Sequence, residues 1–287
     1  MSKRLFGIIV YEKEAAEYNR HYIDMYFKAC EKRNIDLKLV LIERLTFLTR
    51  ENEACLIYDG EKLPLPDFAV MRTNSVLLAR FLELYGVHVF NNSDCIENAN
   101  DKRLTYMRAQ SVGLKIMDTY YSVADVRTLG DEFPLVVKSA HGAGGRSVML
   151  AHNEEELQAA IDSISPDSPV IQKLASDVGK DLRVYFVGNE IVCAILRQSS
   201  SDFRSNYGLG GTATIYELNE DEKRLAYKAA SMFDLAYAGV DFIFDNGEMV
   251  FNEVEDAVGA RMVYANTDID IVDIYVDYIQ RKVGAKA

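Results

Sequence analysis

Residues Gly239–Glu255 read GVDFIFDNGEMVFNEVE, two apolar runs separated by a turn composition that is typical of a β-hairpin. The hydrophobic pattern decides the loop length, because a shift of one residue moves every side chain to the other face of the sheet. A two-residue loop would mix apolar and acidic residues, whereas a three-residue loop, Asn246–Glu248 with Gly247 at positive φ, separates them. The predicted pairs are Val240 with Val254, Phe244 with Val250, and Asp241 with Glu253.

The polar face of this hairpin carries carboxylates. Asp241 and Glu253 are predicted to face each other across the two strands with their Cβ atoms about 5 Å apart, and Glu255 lies two residues further along the strand. Between Asp234 and Asp256 the chain has seven acidic residues and no Lys or Arg. A solvated edge hairpin is one interpretation, but a divalent cation with oxygen ligands better explains why the acids share one face. We therefore favour Asp241, Glu253 and Glu255 as metal ligands, with magnesium as the usual occupant.

The rest of the chain changes character near residue 93. Residues 1–92 alternate strands and helices like a small parallel α/β domain, whereas later strands follow one another as in antiparallel α+β structure. The predicted domains are 1–92 and 93–287, the second with subdomains of about 93–172 and 173–287. The predicted strands outside the hairpin are Leu5–Val10, Leu37–Ile42, Cys55–Tyr58, Lys62–Leu65, Phe68–Met71, Val87–Phe90, Leu135–Lys138, Ser147–Ala151, Val170–Lys173, Asp181–Val187 and Glu190–Arg197. The predicted helices are Glu14–Arg33, Asp101–Val112, Glu154–Ser163, Asp221–Phe233, Ile271–Gln280, and one through Ser75–Tyr85.

A glycine-rich turn, HGAGGR at residues 141–146, lies between two of these strands. It is not a P-loop, because no G-x-x-x-x-G-K-[ST] occurs, and it is not a dinucleotide fingerprint, because Ser147 replaces the third glycine and a strand follows. Glycines without Cβ atoms can lay backbone N–H groups over phosphates, with Lys138 on the incoming strand. A plain hairpin connection explains the turn equally well, and both interpretations stay open.

Basic residues concentrate between the turn and the hairpin. Arg183 and Arg197 fall on two successive predicted strands, and Arg204 lies in the polar loop SSSDFRSNY at residues 199–207. Arginine presents a planar fork that suits phosphates and carboxylates. Surface charge explains Lys180, whereas Arg197 and Arg204 flank a Gly/Ser-rich loop and are better candidates for a ligand.

Composition excludes several classes of protein. The 287 residues include 32 Lys and Arg against 44 Asp and Glu, a formal charge of −12 that argues against a broad nucleic-acid surface. The four cysteines, Cys30, Cys55, Cys95 and Cys193, form no C-x-x-C pair, so we predict neither a structural zinc site nor a disulfide framework. No apolar run approaches the ~20 residues that span a bilayer, and Met1–Val10 is too short for a signal-peptide core. We expect a soluble, cytoplasmic protein.

Together these segments resemble the ATP-grasp superfamily, and within it the RimK-type carboxylate–amine ligases, over about residues 91–281. The matching pieces are Asn91-Asn92-Ser93, Asp101-Lys102, Phe133–Lys138 with its glycine turn, Val170–Lys173, Gly179–Val184, Asp202–Asn206, Ala238–Asp241 and Glu253–Glu255. The resemblance implies two α+β subdomains with ATP between them, preceded by the family's usual N-terminal α/β domain. It also implies a reaction in which a substrate carboxylate attacks the γ-phosphate, and an amine then displaces phosphate from the acyl phosphate.

Roles for individual residues follow from the same resemblance. Nucleotide binding is implied for Lys102, Lys138, Gly142, Gly144, Gly145, the hinge residues Gln172, Lys173, Leu174 and Ala175, Asp181 at the ribose, and Arg183. Two magnesium ions, replaceable by manganese, are implied at Asp241, Glu253 and Glu255. The substrate carboxylate and the transferring phosphoryl group are implied to meet Arg197, Arg204 and Asn206. The implied partners are small carboxylate and amine substrates, expected to be amino acids or peptides, and a homo-oligomer is compatible with the family.

Two departures from the family pattern leave alternatives open. Glu255 stands where the family usually has Asn, and Asp256–Arg261 replaces the usual Ser-Pro-Gly beside the acceptor site. Arg261 is therefore a candidate ligand for a carboxylate or a phosphate. Besides the ligase, two further hypotheses are an ATP-grasp enzyme that stops at an acyl phosphate or phosphorylated product, and a nucleotide-binding regulator without turnover.

Overall fold

The structure is a computed structural model that describes residues 4–129, 132–142, 147–164, 166–199, 203 and 211–284. Its first sheet is parallel, with strand order β2-β1-β6-β7. Gly7 on β1 lets this sheet form, because a Cβ there would overlap the ring of Phe68 on the neighbouring strand. The elements of this region are β1 Phe6–Tyr11, α1 Lys13–Tyr18, α2 Arg20–Glu31, β2 Asp36–Leu41, β3 Leu45–Arg50, β4 Glu53–Tyr58, β5 Glu61–Leu63, β6 Phe68–Met71, α3 Val76–Leu84 and β7 His88–Phe90.

Two details of this region differ from the prediction. The single helix predicted from Glu14 to Arg33 is two helices that meet at Asn19, whose side-chain amide donates to the carbonyl of Ala15 at 2.8 Å. A side chain that bonds its own backbone competes with helix continuation. In addition, β3 was not predicted and adds a third antiparallel strand to the predicted β4–β5 hairpin.

Two antiparallel sheets follow. One has the order β10-β9-β11-β8 and the other the order β14-β13-β12-β15-β16. The predicted change from α/β to antiparallel α+β structure is therefore confirmed. The elements are α4 Ser93–Ala99, α5 Lys102–Ser111, β8 Thr119–Tyr120, β9 Leu135–Ser139, β10 Val148–Ala151, α6 Glu154–Ile164, β11 Pro169–Lys173, β12 Lys180–Val187, β13 Glu190–Gln198, β14 Thr212–Ile215, α7 Glu220–Ala230, β15 Tyr237–Asp245, β16 Glu248–Glu255, α8 Arg261–Asn266 and α9 Ile271–Gly284.

The hairpin β15–β16 has the predicted pairing at the acidic end and a different turn. Val240 pairs with Val254 and Asp241 with Glu253, as predicted. The loop has two residues, because Asp245 pairs with Glu248, so the predicted three-residue loop is wrong and Phe244 faces Met249 rather than Val250. The extra residue lies in the strand: the register shifts between Asp241 and Phe242, and Asn252 is left without a partner strand residue as a β-bulge.

A shared core connects the first sheet to the end of the chain. Tyr26 on α2, Tyr237 on β15 and Tyr275 on α9 are buried in one cluster, and Tyr26 and Tyr275 meet edge to face with ring centroids 6.1 Å apart. Arg33, just beyond α2, donates to both carboxylate oxygens of Asp273 on α9, each at 2.8 Å. The N-terminal sheet therefore packs against elements more than 200 residues later in the chain.

The cysteines agree with the prediction of no disulfide framework, since all four are free, and Cys30 and Cys95 are buried. Within the described residues, three or more His, Cys, Asp or Glu side chains do not cluster as a preformed metal site. The same part of the chain contains no helix that is long and apolar enough to cross a membrane.

Candidate active site

A cleft of about 930 Å³, its open mouth included, lies between the two antiparallel sheets. That volume is within the range of sites that hold small ligands and cofactors. Predicted nucleotide, substrate and metal residues that line it are Lys102, Lys138, Gly142, Gln172, Lys173, Leu174, Ala175, Asp181, Arg197 and Glu253. Residues that were not predicted supply apolar walls, namely Met117, Val136, Val148 and Ile243. The structure thus brings together ten predicted residues that are spread over 152 positions of sequence.

Other predicted residues lie elsewhere. Arg183, Asp241 and Glu255 are behind the cleft lining and are connected to it through Arg197. Arg261 begins α8 on the surface, where it donates to the hydroxyl of Tyr18 at 2.5 Å. Gly144, Gly145, Arg204 and Asn206 lie outside the described residues.

Lys138 is the buried cation of the cleft. It projects from β9, and its ammonium group donates to the Oδ1 of Asn252 at 3.0 Å, the Oε1 of Gln172 at 2.8 Å and the hydroxyl of Tyr106 at 3.3 Å. Gln172 is held in turn by a 2.8 Å bond from its amide to Thr119. Within the described part of the chain, no carboxylate lies within 4 Å of this ammonium group. Burial lowers the pKa of Lys138 to about 8, because desolvation disfavours its charge.

Lys102 lies beside it at the first turn of α5. Asp101 caps this helix by accepting from the N–H of Arg103, and the N–H of Lys102 donates to the carbonyl of Ala140. The Lys102 ammonium group donates to the carbonyl of Gly142 at 2.5 Å and is 3.6 Å from a carboxylate oxygen of Glu253. Two lysines and the start of the glycine turn therefore meet at one end of the cleft.

The start of the glycine turn is held by Asp167. Its carboxylate accepts from the hydroxyl of Ser139 and from the backbone N–H of His141, and it is 2.7 Å from the Nδ1 of that histidine. These bonds hold the pKa of Asp167 well below its usual range, although burial opposes them. At Gly142 a Cβ would come within 3.2 Å of the Cβ atoms of Ser139 and Ser147. A larger residue would therefore crowd the place where the turn begins.

A ladder of alternating charges runs across four strands, from Asp181 and Arg197 in the cleft wall to residues behind it. Arg197 on β13 donates to Asp181 on β12, with one bond of 2.5 Å, and to Asp241 on β15 at 2.7 Å. Arg183 on β12 donates to both oxygens of Asp241, at 2.7 and 2.6 Å, and contacts Glu255 on β16 at 2.5 Å. Burial would raise the pKa of Asp241, but the two arginines lower it to about 2. Two carboxylates of the acidic hairpin, Asp241 and Glu255, are thus paired with arginines of the neighbouring strands.

Asn252 is a site residue that was not predicted. Its Oδ1 accepts from Lys138, and the residue lines the cleft. The bulge explains both facts, because an extra residue in a strand leaves the ladder and redirects its side chain. The bulge also sends Phe251 to the apolar face and Glu253 to the acidic face, although they are two residues apart. The one signal in the sequence was the abrupt change from the apolar run Met249–Phe251 to the acidic end of the strand.

Comparison with known proteins identifies the family of the chain. A family model described as RimK-like ATP-grasp domain matches residues 111–279. A probable alpha-L-glutamate ligase of Klebsiella pneumoniae (strain 342) is 31% identical over 240 residues, covering 78% of this chain and 80% of that protein. A second one, from Maridesulfovibrio salexigens, is 27% identical over 269 residues, covering 88% and 89%.

A solved structure extends the likeness to nearly the whole chain. The ATP-grasp ligase PsnB, complexed with a phosphomimetic variant of minimal precursor, Mg and ADP, has a TM-score of 0.73 at 17% identity. The match covers 95% of this chain and 97% of that chain, and at this identity it shows the fold alone. The predicted ATP-grasp fold is therefore confirmed. The chain belongs to the RimK-like ATP-grasp family and is an ATP-dependent ligase that joins a carboxylate to an amine.

Proposed function

We propose that ATP binds in the cleft between the two antiparallel sheets, with its phosphates at Lys102 and Lys138. The observation that carries this proposal is the pairing of Lys138, a buried cation whose three bonds all go to neutral oxygens. A buried charge needs a counter-charge, and phosphate oxygens at the mouth of the glycine turn supply one.

The apolar walls and the hinge indicate where the adenine base binds in the cleft. Met117, Val136 and Ile243 offer flat apolar contact to a base. In the hinge Gln172–Ala175, the backbone N–H of Lys173 already donates to the backbone carbonyl of Asp118. The backbone N–H of Leu174 donates to the backbone carbonyl of Pro134. We therefore assign the base-recognising hydrogen bonds to the hinge carbonyls and to the N–H of Ala175. Asp181, at the edge of the same cleft, is assigned to the ribose.

Magnesium fits the acidic end of the cleft through Glu253. This carboxylate lines the cleft, its side chain is 32% exposed, and it lies 3.6 Å from the ammonium group of Lys102, one of the two lysines assigned to the phosphates. Asp241 and Glu255 are engaged by Arg183 and lie behind the cleft lining, so they would hold the metal only with these ion pairs opened. Bound there, Mg²⁺ would neutralise phosphate charge, and two ions are the proposed number.

The chemistry needs positioning more than covalent help. An oxygen of the substrate carboxylate attacks the γ-phosphorus while the bond to the ADP oxygen breaks, and Lys102, Lys138 and Arg197 balance the charge on the phosphoryl oxygens. The amine nitrogen then attacks the acyl carbon, phosphate leaves, and the amine loses a proton to give the amide. Arg204 and Asn206 stay predicted ligands of the substrate carboxylate.

The substrates are proposed to be amino acids or peptides. The support is that relatives with 27 to 31% identity over most of this chain are called probable alpha-L-glutamate ligases. An amino acid or a peptide contains both groups that the reaction consumes.

The test is release of ADP and phosphate with Mg²⁺ across a panel of amino acids and short peptides. We expect stimulation by at least one pair, and a loss of turnover of about 100-fold in Glu253→Gln, since removing one electrostatic contact to the transition state costs that much. Glu248→Gln is the matched control, because Glu248 is an exposed residue at the turn of the same hairpin. AMP and pyrophosphate as products, or unchanged kinetics in Glu253→Gln, would contradict the proposal.

A further inference from the structure

The N-terminal sheet contains an arginine that its own fold leaves incompletely paired. Arg72 directly follows β6, and its Nη2 donates to the carbonyl of Val258 at 3.0 Å. Its Nε is buried without a hydrogen-bond partner, and among the described residues no carboxylate lies within 4 Å of the guanidinium group. The hydroxyl of Tyr11, at the end of β1, is buried and also lacks a partner. Such unpaired donors cost folding free energy, so their presence calls for a functional reason.

The position of Arg72 in the sheet is the position at which open α/β sheets bind ligands. The strand order is β2-β1-β6-β7, so the chain leaves β1 toward one edge of the sheet and β6 toward the other. Ligands of such sheets bind beyond the carboxyl ends of the two strands where the direction reverses. Those ends are Tyr11 and Arg72.

Aromatic rings hold the guanidinium group in place. It lies over the ring of Tyr22 at 5.5 Å and over that of Tyr11 at 5.9 Å. Arg72 keeps part of its surface exposed, and no described residue accepts from its Nη1. A planar cation that is stacked on rings, and whose Nε and Nη1 have no acceptor among the described residues, suits the flat fork of a carboxylate.

A short path of contacts connects this arginine to the charge ladder. Val258 belongs to the segment Asp256–Arg261, and its side chain packs on Gly239, where the side chain of Arg183 also lies. The other end of the segment meets the N-terminal region again, since Arg261 donates to Tyr18. Arg72 therefore lies one segment away from the acidic hairpin.

We propose that Arg72, at the switch point of the N-terminal sheet, binds a substrate carboxylate that stays unreacted while the amide forms. The carboxylate that is phosphorylated has to meet the γ-phosphate at Lys102 and Lys138, and Arg72 does not line that cleft. The ligand is the free carboxylate of an amino acid or of a peptide, so this inference rests on the proposed function.

The experiment compares free and amidated substrates. Each amino acid and short peptide of the panel is assayed with its terminal carboxylate free and as the carboxamide, using wild type, Arg72→Met, Arg72→Lys and the surface control Arg80→Met. For the stimulating substrate we expect Arg72→Met to raise KM at least tenfold, with kcat within about threefold and KM for ATP unchanged. The preference of the wild type for the free carboxylate should disappear in Arg72→Met, stay in part in Arg72→Lys and stay intact in Arg80→Met.

The panel also distinguishes an amino-acid ligand from a peptide ligand. The ligand belongs to the class, free amino acids or peptides, in which Arg72→Met loses the preference for a free carboxylate. Tyr11→Phe keeps the ring and removes only the unpaired hydroxyl, so it tests the site even if Arg72→Met does not fold. A rise of twofold or more in its KM for the stimulating substrate supports the site. A folded Arg72→Met that still prefers the free carboxylate overturns the inference, as does an equal rise in KM for ATP.

Failure of the proposed function is recognised separately by calorimetry on the protein loaded with a non-hydrolysable ATP analogue. If no panel member stimulates ADP release, carboxylate binding that is lost in Arg72→Met still supports the inference. Absence of carboxylate binding by the wild type contradicts it.

Discussion

In the proposed ATP site, the single residue Lys138 would make nucleotide binding depend on pH. Burial lowers its pKa to about 8, so the free protein loses this charge as the pH rises through 8. Phosphate binding favours the charged form. The affinity for ATP should therefore be highest below pH 8 and fall above it.

We predict that calorimetric titration with ATP from pH 6.5 to 9.5 shows an affinity loss of about tenfold per pH unit above pH 8 in the wild type. Lys138→Arg is the control, because arginine stays charged over this range and should give a flat profile. The same pH profile in both proteins would exclude Lys138 as its source. Without ATP the unfolded state binds more protons between pH 8 and 10.5, so this group makes stability rise with pH in that window.

The bulge in β16 is the feature that acts at the scale of an element. Asn252 is the residue left out of the ladder, and the pairs on either side of it, Phe242 with Phe251 and Asp241 with Glu253, are already in register. Deleting Asn252 would join these pairs into a regular ladder without moving either face.

We predict that deletion of Asn252 leaves a folded protein whose free energy of unfolding changes by less than about 2 kcal/mol. Its ATP affinity should fall about tenfold, because a buried hydrogen bond to a charged partner, here Lys138, is worth about 1.5–3 kcal/mol. Asn252→Ala should weaken ATP binding similarly, since it removes the same amide. A deletion variant that is folded and binds ATP as tightly as the wild type would show that the bulge has no role in the cleft.

At the scale of the whole molecule, the two ends of the chain stabilise each other. The core that contains Tyr26 also contains Tyr275, and Asn91 at the end of β7 accepts from Ala236 at 2.7 Å and donates to the carbonyl of Asp256 at 2.6 Å. The segment Asp256–Arg261, which contacts Arg72 through Val258, is thus also held by Asn91 directly after the last strand of the N-terminal sheet. We expect the described elements to unfold in one cooperative transition.

We predict that Asp273→Ala lowers the free energy of unfolding by about 1–3 kcal/mol, because it breaks a two-bond pair with Arg33 that is partly shielded from water. Asp277→Ala, which removes an exposed pair with Arg281, should cost about 0.5 kcal/mol or less. Urea unfolding followed by circular dichroism measures both. Arg33 lowers the pKa of Asp273 to about 2, so its contribution is present above pH 4 and disappears as the pH falls toward 2. Equal losses in the two variants would contradict a role of this pair between the ends of the chain.

The elements that could be predicted are those whose signal lies in a short local stretch of sequence. Strand β6 was predicted with its observed bounds, Phe68–Met71, because a short buried run is a local signal. The two-residue strand β8 and the mostly exposed strand β14 carry no such signal, and both were missed. The predicted loop length of the acidic hairpin was wrong, because a two-residue loop with a bulge and a three-residue loop without one give the same pairing at the far end of the strands.

The sequence by itself determined the change from parallel α/β to antiparallel α+β structure and the antiparallel pairing of Asp241 with Glu253, because apolar alternation and burial act within each segment. Only the tertiary structure decided which charges face the cleft and which are neutralised. Asp241 was predicted as a metal ligand, and it is buried between Arg183 and Arg197, 58 and 44 positions away. The physical reason is that the position of an ion partner depends on how distant strands meet in a sheet, and no local pattern in the chain records that meeting.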